Sequence, residues 1–194
     1  MKSIQPCFCG SNCDFSSCCQ PYINKEVPVQ TAEQLMRSRF SAYALGNAQY
    51  IYDTYAKSSQ AAQSVKEIDD WSQCCVWIAL NIHPNTNSVS STNNATEQCV
   101  EFSAFYITDN VLCELREKSR FILEESHIVN TTANTVIIES TIKVPLKQWR
   151  YIDGDIIAHN ELANIKRNAL CPCNEYPTTW KKKKGKKYKQ CCGK

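Results

Sequence analysis

The sequence predicts an α+β domain with a small metal-binding module at each end. Three observations predict it: apolar residues at helical spacing fill the first third, strand-like alternation begins near residue 76, and cysteines cluster at both ends of the chain. A chain of 194 residues, 43% of them apolar, can bury one ordinary core with such appendages. Helices followed by antiparallel strands are the order typical of α+β domains.

Each predicted module contains one C-x-C pair and one C-C pair of cysteines. Four thiolates close a tetrahedral shell around structural zinc, so the pattern predicts two structural Zn²⁺ ions per chain. We expect the modules to span residues 1–25 and 168–194. The eight predicted ligands are Cys7, Cys9, Cys18, Cys19, Cys171, Cys173, Cys191 and Cys192. A redox dithiol and surface cysteines without a ligand role are the open alternatives.

The cysteine content of 13 also bears on the compartment. No apolar stretch near residue 1 could serve as a signal-peptide core, and no run is long enough to span a membrane, so we expect a cytoplasmic protein. In that reducing setting clustered cysteines are more often metal ligands or redox groups than disulfides. The remaining cysteines, expected to be small buried apolar residues, are Cys13, Cys74, Cys75, Cys99 and Cys113.

The segment after the first module is predicted to be helical. Thr31 and Gln34 occupy the positions of a capping box, where both side chains reach free amides of the first turn. Apolar residues follow at helical spacing, and Gly46 lies where the helix should end. Two further helices are expected, one around residues 50–55 and one approaching Trp71.

Alternation of period two then predicts a series of strands. Residues 85–96 are mostly Asn, Ser and Thr, which predicts a loop, and Asp153 with Gly154 predicts a turn. Strands are predicted at 76–82, 100–106, 111–123, 135–144 and 148–152. The central domain is therefore expected over 28–155, with a linker at 156–167.

The net charge of +3 hides a basic C-terminal end. Residues 171–194 contain eight lysines and one acidic residue, a net charge of +7 on a body of −4. Lysines there can contact the phosphates of RNA or an acidic protein, and two aromatic residues at the edges of the run can stack on bases. The candidates are Lys181, Lys182, Lys183, Lys184, Lys186, Lys187, Trp180 and Tyr188. The alternative is a solvated loop without a partner.

These motifs resemble two known patterns. The cysteine groups are similar to the SEC-C motif, a small zinc-binding module found at the end of the SecA translocase motor, and residues 185–193 match its closing half closely. The middle resembles the YchJ-like family, which carries such a motif at both ends of a domain similar to nuclear transport factor 2. The matching segments are 33–43, 100–102, 117–121 and 149–154, and the departures are insertions at about 124–147 and 174–184.

The resemblance implies N-terminal helices packed on a curved antiparallel sheet that forms a cone. It also implies a zinc-binding adaptor that contacts protein or RNA through its modules, with the ribosome or protein translocation as candidate settings. A closed four-thiolate site has no position for a substrate water, so both sites are predicted to be structural and not catalytic. Whether the chain is an enzyme stays open, with binding favoured over catalysis.

Two alternatives stay open. The first is a small-molecule enzyme, isomerase-like or hydratase-like, that uses the central pocket; the second is a redox-responsive protein whose oxidised thiolates release zinc. A buried acid–tyrosine pair would favour the enzyme, and a filled cone the adaptor. Polar candidates near the predicted elements are Asp53, Glu101, Tyr106, Glu117 and Arg120, with a Glu117–Arg120 ion pair as the competing interpretation. The histidines, expected to be structural or exposed, are His83, His127 and His159.

Overall fold

A computed structural model describes residues 5–84, 96–126, 146–180 and 185–194. Helices come first and strands follow, so the predicted α+β class is confirmed. The helices are α1 (Gln20–Ile23), α2 (Ala32–Leu45), α3 (Ala48–Asp53), α4 (Lys57–Gln60) and α5 (Val65–Cys74). The strands are β1 (Val76–Ile82), β2 (Glu97–Thr108), β3 (Val111–Ser126) and β4 (Leu146–Asn164). Short 3-10 helices lie at Phe15–Ser17, Pro172–Asn174 and Tyr188–Gln190.

Helix α2 begins and ends at the residues that the sequence indicates. The Thr31 hydroxyl accepts a hydrogen bond from the amide of Gln34 at 3.1 Å, and the Gln34 side chain accepts one from the amide of Gln30 at 2.8 Å. Gly46 ends the helix with φ of 71°, a left-handed conformation that glycine adopts without strain. The buried face of α2, which includes Phe40, packs on the sheet.

The four strands form an antiparallel sheet in the order β1-β2-β3-β4. Asp109 and Asn110 join β2 to β3 with φ of 47° and 63°, as in the two-residue hairpin turns that match the right-handed twist of strands. Alternate residues of each strand face the helices, where Phe102, Phe121 and Trp149 form the main core. The sheet therefore offers one face to the helices and leaves the other to the C-terminal module.

Each terminal module packs on a different part of the domain. Ile78 and Phe105, on the face of the sheet away from the helices, form a cluster with the C-terminal cysteines and Tyr188. The N-terminal cysteines instead pack with Ile23 of α1 and Ile51 of α3. Each module is therefore packed against the central domain, and its cysteines share a hydrophobic cluster with residues of that domain.

Strand β4 departs from the sequence prediction. The turn predicted at Asp153 and Gly154 is wrong, because both residues pair with β3 inside a continuous strand. Residues 156–164, expected to be part of a linker, form the second half of β4. The long partner strand β3 supplies hydrogen-bonding groups along the whole length, and three bulges in β4 absorb the local irregularities.

Two sequence predictions fall outside the described residues. They are the strand at 135–144 and most of the loop at 85–96, of which residue 96 alone is described. Within the described ranges, no helix combines the length and the apolar composition that crossing a membrane requires.

Candidate functional site

The N-terminal cysteines form a compact cluster of four thiols. The Sγ atoms of Cys7, Cys9, Cys18 and Cys19 all lie within 4.8 Å of one another. Cys9 and Cys18 are separated by 3.7 Å between Sγ atoms, and Cys18 and Cys19 by 3.9 Å. Three of the four are buried and Cys18 is half-buried. The eight-residue spacer therefore folds back so that both pairs face one point.

The C-terminal cysteines repeat this arrangement. The Sγ atoms of Cys171, Cys173, Cys191 and Cys192 also lie within 4.8 Å of one another, and all four residues are buried. The Sγ of Cys173 is 3.5 Å from that of Cys171 and 3.5 Å from that of Cys191. Cys191 and Cys192 are 3.8 Å apart. The longer spacer of this motif still brings its two pairs together.

Both clusters fit a tetrahedral metal ion. Four thiolates around an ion at a metal–sulfur distance of about 2.3 Å lie about 3.8 Å apart. The separations of 3.5 to 3.9 Å between these Sγ atoms agree with that value. An all-sulfur tetrahedral donor set selects zinc or iron over magnesium or calcium. The two clusters can therefore hold metal ions.

The N-terminal cluster is fixed to helix α2 by polar contacts. Arg37 donates a hydrogen bond from Nη1 to the carbonyl of Cys9 at 3.2 Å, and the Ser41 hydroxyl lies 3.8 Å from the Sγ of Cys7. These contacts link the ligand loop to the core helix, so the position of the cluster depends on the folded domain.

The thiols of this cluster differ in acidity. Hydrogen bonds from the Cys19 and Cys7 thiols lower the pKa of Cys9, because they stabilise its thiolate. Hydrogen bonds to Cys7 and to Cys9, together with burial, raise the pKa of Cys19. Burial raises the pKa of Cys18 to about 12. A divalent cation bound to four thiolates would replace the protons that these pKa values describe.

The first part of the 174–184 insertion connects the two modules. The Trp180 ring lies 4.6 Å from the ring of Phe8, which is only 4% exposed. Gly10, with φ of 74°, lies so close to the Thr178 carbonyl that a Cβ atom would clash with it. The Thr178 hydroxyl also contacts Asn81 of β1 at 2.8 Å. The insertion therefore runs from the C-terminal cluster across β1 to the N-terminal module.

The two predicted base-stacking residues differ in burial. Tyr188 is 6% exposed and packs against Gly193, whose Cβ would lie 2.6 Å from the Tyr188 ring, so its faces are covered. Trp180 packs on Phe8 and is half-buried. The sequence placed both aromatics beside lysines, but it carries no signal for which of them the modules bury.

Exposed basic side chains lie on the segments that pair next to the C-terminal cluster. Backbone hydrogen bonds pair segment 166–170 with segment 186–189, including Tyr188 N to Ala169 O at 2.8 Å. Among the described residues, the exposed basic residues of segments 166–170 and 186–194 are Lys166, Arg167, Lys186, Lys187, Lys189 and Lys194. Of these, Lys186 and Lys187 are predicted candidates and the other four are not; the pairing brings Lys166 and Arg167 beside the predicted ones. Lys181, Lys182, Lys183 and Lys184 lie outside the described residues.

A cavity of about 340 Å³ opens between α2, α5 and the helix-facing side of the sheet. Its walls are mainly aromatic: Phe40, Tyr43, Trp71, Trp77 and Phe102. Polar groups at one side of it are Arg39, Glu117, Ser119 and Tyr151. The buried indole N–H of Trp77 has no hydrogen-bond partner within the described part of the chain. The cone is thus open and carries polar groups.

Glu117 is the central polar group of the cavity. Its Oε1 accepts hydrogen bonds from the Ser119 hydroxyl at 2.5 Å and the Tyr151 hydroxyl at 3.1 Å. Burial and the negative charge of Glu117 raise the pKa of Tyr151. Gly154 lies directly beneath the carboxylate, where a Cβ atom would clash with it. The predicted Glu117–Arg120 ion pair is wrong: Arg120 pairs with Asp153, because residues three apart on a strand face opposite sides.

Arg39 is a buried charge that the sequence analysis did not select. Its guanidinium lies 4.6 Å from the centroid of Tyr55 and 4.5 Å from that of Tyr151. Nη1 donates to the carbonyl of Ile51 and the hydroxyl of Thr54, both at 2.7 Å. One signal could have identified it, since Arg39 occupies the apolar face of α2.

The other polar candidates do not converge on the cavity. Asp53 pairs with Lys25, Glu101 pairs with Arg116, and the hydroxyl of Tyr106 contacts His159 Nε2 at 2.5 Å. His83 contacts Ser103, whereas His127 lies outside the described residues.

The remaining cysteines divide by burial. Cys75 and Cys113 are buried and Cys99 is half-buried, whereas Cys13 and Cys74 are exposed, so the expectation of burial is wrong for those last two. Cys13 and Cys74 lie in a module loop and at the end of α5, where the chain meets solvent.

Comparisons with known proteins place these features in a family. The family model of the YchJ middle domain, similar to nuclear transport factor 2, matches residues 31–154. A UPF0225 protein of Photorhabdus laumondii is 33% identical over 189 residues, which cover 96% of this chain and 98% of the relative. One from Enterobacter sp. strain 638 is 32% identical over 97% of this chain and 98% of its own length.

Solved structures share the fold. A SEC-C motif-containing protein from Psychrobacter arcticus superposes with a TM-score of 0.59 at 23% identity, covering 99% of this chain and 96% of its own. A SEC-C motif-containing protein from Rhodopseudomonas palustris gives a TM-score of 0.58 at 21% identity, covering 78% of this chain and 98% of its own.

Proposed function

The chain belongs to the YchJ-like family, and from that premise we propose that it is a zinc-binding interaction protein with two structural zinc sites. The observation that carries the zinc assignment is the spacing of the thiols: the four Sγ atoms of each cluster lie within 4.8 Å of one another, and five separations of 3.5 to 3.9 Å agree with a tetrahedral thiolate shell around Zn²⁺. Iron is the competing occupant of such a site. Elemental analysis of freshly purified protein tests the assignment, with two zinc ions per chain as the expected result.

In this proposal the C-terminal module contacts a polyanion, namely the phosphate backbone of RNA. The exposed lysines and the arginine of segments 166–170 and 186–194 support this proposal, because pairing of the two segments concentrates positive charge on one small module. Charge, not base stacking, is the mode of contact, since Tyr188 is buried. Such contacts release counterions, so binding should weaken steeply as salt rises.

Reversing the charge of Lys186, Lys187 and Lys189 to Glu is expected to weaken RNA binding about tenfold or more at low salt. Three lost phosphate contacts should also reduce the slope of log affinity against log salt by about 2 on single strands. Filter binding across a salt series measures both quantities. The matched control reverses Lys57, Lys118 and Lys147, which lie on the central domain.

Equal weakening by the two triple variants would overturn the assignment of the surface, because it would reflect net charge alone. Absence of binding by the unmodified protein at low salt would overturn RNA as the partner. Binding of an acidic protein in its place would assign the same surface to that class.

A second candidate function is favoured by the acid–tyrosine pair in the central cavity. Glu117 and Tyr151 are joined at 3.1 Å beside an open space of about 340 Å³, which is within the range of small-molecule sites. A carboxylate that accepts from a phenol is able to take up a proton from a bound molecule. We therefore propose that this cavity is a small-molecule site, with isomerase-like or hydratase-like acid–base chemistry as the activity to test.

Gly154→Ala tests whether the glycine creates the space for the carboxylate. The added Cβ would clash with the Glu117 carboxylate, so we expect the free energy of unfolding to fall by about 1–3 kcal/mol. Denaturant titration measures the change. In a Glu117→Ala background the clash is absent, so the same substitution should have a much smaller effect; an equal loss in both backgrounds would show that Gly154 acts through the backbone alone.

A further inference from the structure

We propose that the central cavity binds a small molecule that carries an aromatic or similarly sized apolar group and a protonated amine, with the amine on Glu117. This ligand class rests on the second proposed function, the cavity as a small-molecule site. Three features of the cavity favour this ligand class: its carboxylates, its aromatic walls, and an arginine whose guanidinium is already occupied by contacts within the protein.

The carboxylates of the cavity favour a cation. Glu117 is held by two neutral hydroxyls, and no cationic side chain of the described residues lies within 4.0 Å of it. A second carboxylate, Glu67 of α5, also lines the cavity. A half-buried carboxylate without a cationic partner gains most from a ligand that brings a charged N–H donor.

The aromatic walls favour the same ligand. The rings of Tyr43, Trp71 and Trp77 have centroids 5.0 to 5.1 Å apart and enclose one side of the cavity. Aromatic faces attract cations, most strongly where water is excluded, and they also bury an apolar group. The unpartnered indole N–H of Trp77 can donate to an acceptor on the ligand.

An anionic ligand is the competing class, with Arg39 as its partner. The Arg39 guanidinium already packs on the rings of Tyr55 and Tyr151, and its Nη1 already donates to Ile51 and Thr54. Arg39 is only 4% exposed. Its charge therefore stabilises the packing of the tyrosines and offers little of its surface to a ligand.

Three probes of similar shape test the proposal: 2-phenylethylamine, 2-phenylethanol and 3-phenylpropionate. Each is titrated calorimetrically into the zinc-loaded, full-length protein at pH 7. We expect the amine to bind most tightly of the three. Glu117→Gln, which keeps an acceptor for Ser119 and Tyr151, should weaken the amine about tenfold or more and leave the alcohol unchanged. Glu125→Gln, an exposed change on the same strand, is the matched control.

The outcomes separate the ligand class from the site itself. Preferential binding of 3-phenylpropionate, or amine binding that Glu117→Gln leaves unchanged, would overturn the amine assignment while leaving the cavity as a small-molecule site. If none of the three probes binds, both the ligand class and the second proposed function are overturned. Thermal unfolding of each variant establishes that it remains folded during the titration.

Discussion

Removing zinc is expected to unfold both terminal modules while the central α+β domain remains folded. Each module is too short to bury a core of its own, and its thiols make up most of what it buries. Structural zinc in small modules contributes an apparent free energy on the order of 10–16 kcal/mol, which is folding free energy for the segments that it joins. The effect of metal removal should therefore exceed that of any single core substitution.

The central domain should lose stability as well, although it stays folded. Ile78 and Phe105 lie under the C-terminal cluster, so unfolding of that module exposes them to water. The main core, with Phe40 and Phe121, lies on the other face of the sheet and keeps its cover of helices. Hydrogen exchange measured before and after chelation distinguishes the two regions, because protection should vanish at the termini and only decrease in β1 and β2.

A single cysteine substitution tests the same prediction at one of the two clusters. Cys191→Ser should remove one zinc ion per chain and the exchange protection of residues 168–194. Cys13→Ser is the control, since Cys13 is an exposed thiol of the N-terminal loop that lies outside the cluster. Unchanged protection after chelation, or equal zinc loss in the two variants, would contradict a structural role for the metal.

The sequence predicts the two cysteine clusters well because much of their geometry is local. Cys7 and Cys9, or Cys171 and Cys173, are two residues apart, so their thiols face one point as soon as the loop turns. The cap of α2 is local in the same sense, since Thr31 and Gln34 are three residues apart. Spacing and residue type can specify a structural feature when its residues lie within a few positions of one another in the sequence.

The central site could not be predicted because strand pairing assembles it. Tyr151 reaches Glu117 only because β4 pairs with β3, and bulges in β4 shift the register between those residues. Asp153-Gly154 carries the local signal of a turn, yet the pairing partner on β3 overrides it. The glycine has a different use, which is to leave room for a carboxylate on the adjacent strand.

The contact between the two modules is equally long-range. Phe8 and Trp180 belong to opposite ends of the chain, and neither spacing nor residue type pairs them. From the sequence, residues 174–184 are recognised only as an insertion in the C-terminal motif. Its described part instead forms the wall against which the N-terminal module packs, with Gly10 close to Thr178.

Phe8→Ala is expected to lower the free energy of unfolding of the N-terminal module by about 3–5 kcal/mol, the usual range for a buried aromatic residue. Phe8 contacts the rings of Trp180 and Phe15, at 4.6 and 5.1 Å, so its removal leaves a cavity between the modules. Chelator competition on the zinc-loaded protein measures the loss, because the first zinc ion should be released at a lower chelator concentration. Val27→Ala, at a side chain that is 46% exposed, is the control.

A double-mutant cycle with Trp180→Ala determines whether the modules stabilise each other. If the ring contact acts directly, the two substitutions should be non-additive by about 0.5–1.5 kcal/mol, the range for aromatic pairs. Zinc at the C-terminal cluster should then also be released more easily in Phe8→Ala, since Trp180 lies in the spacer between the two cysteine pairs of that cluster and loses its packing partner. Additive effects, with C-terminal zinc release unchanged, would show instead that the insertion separates the modules without coupling them.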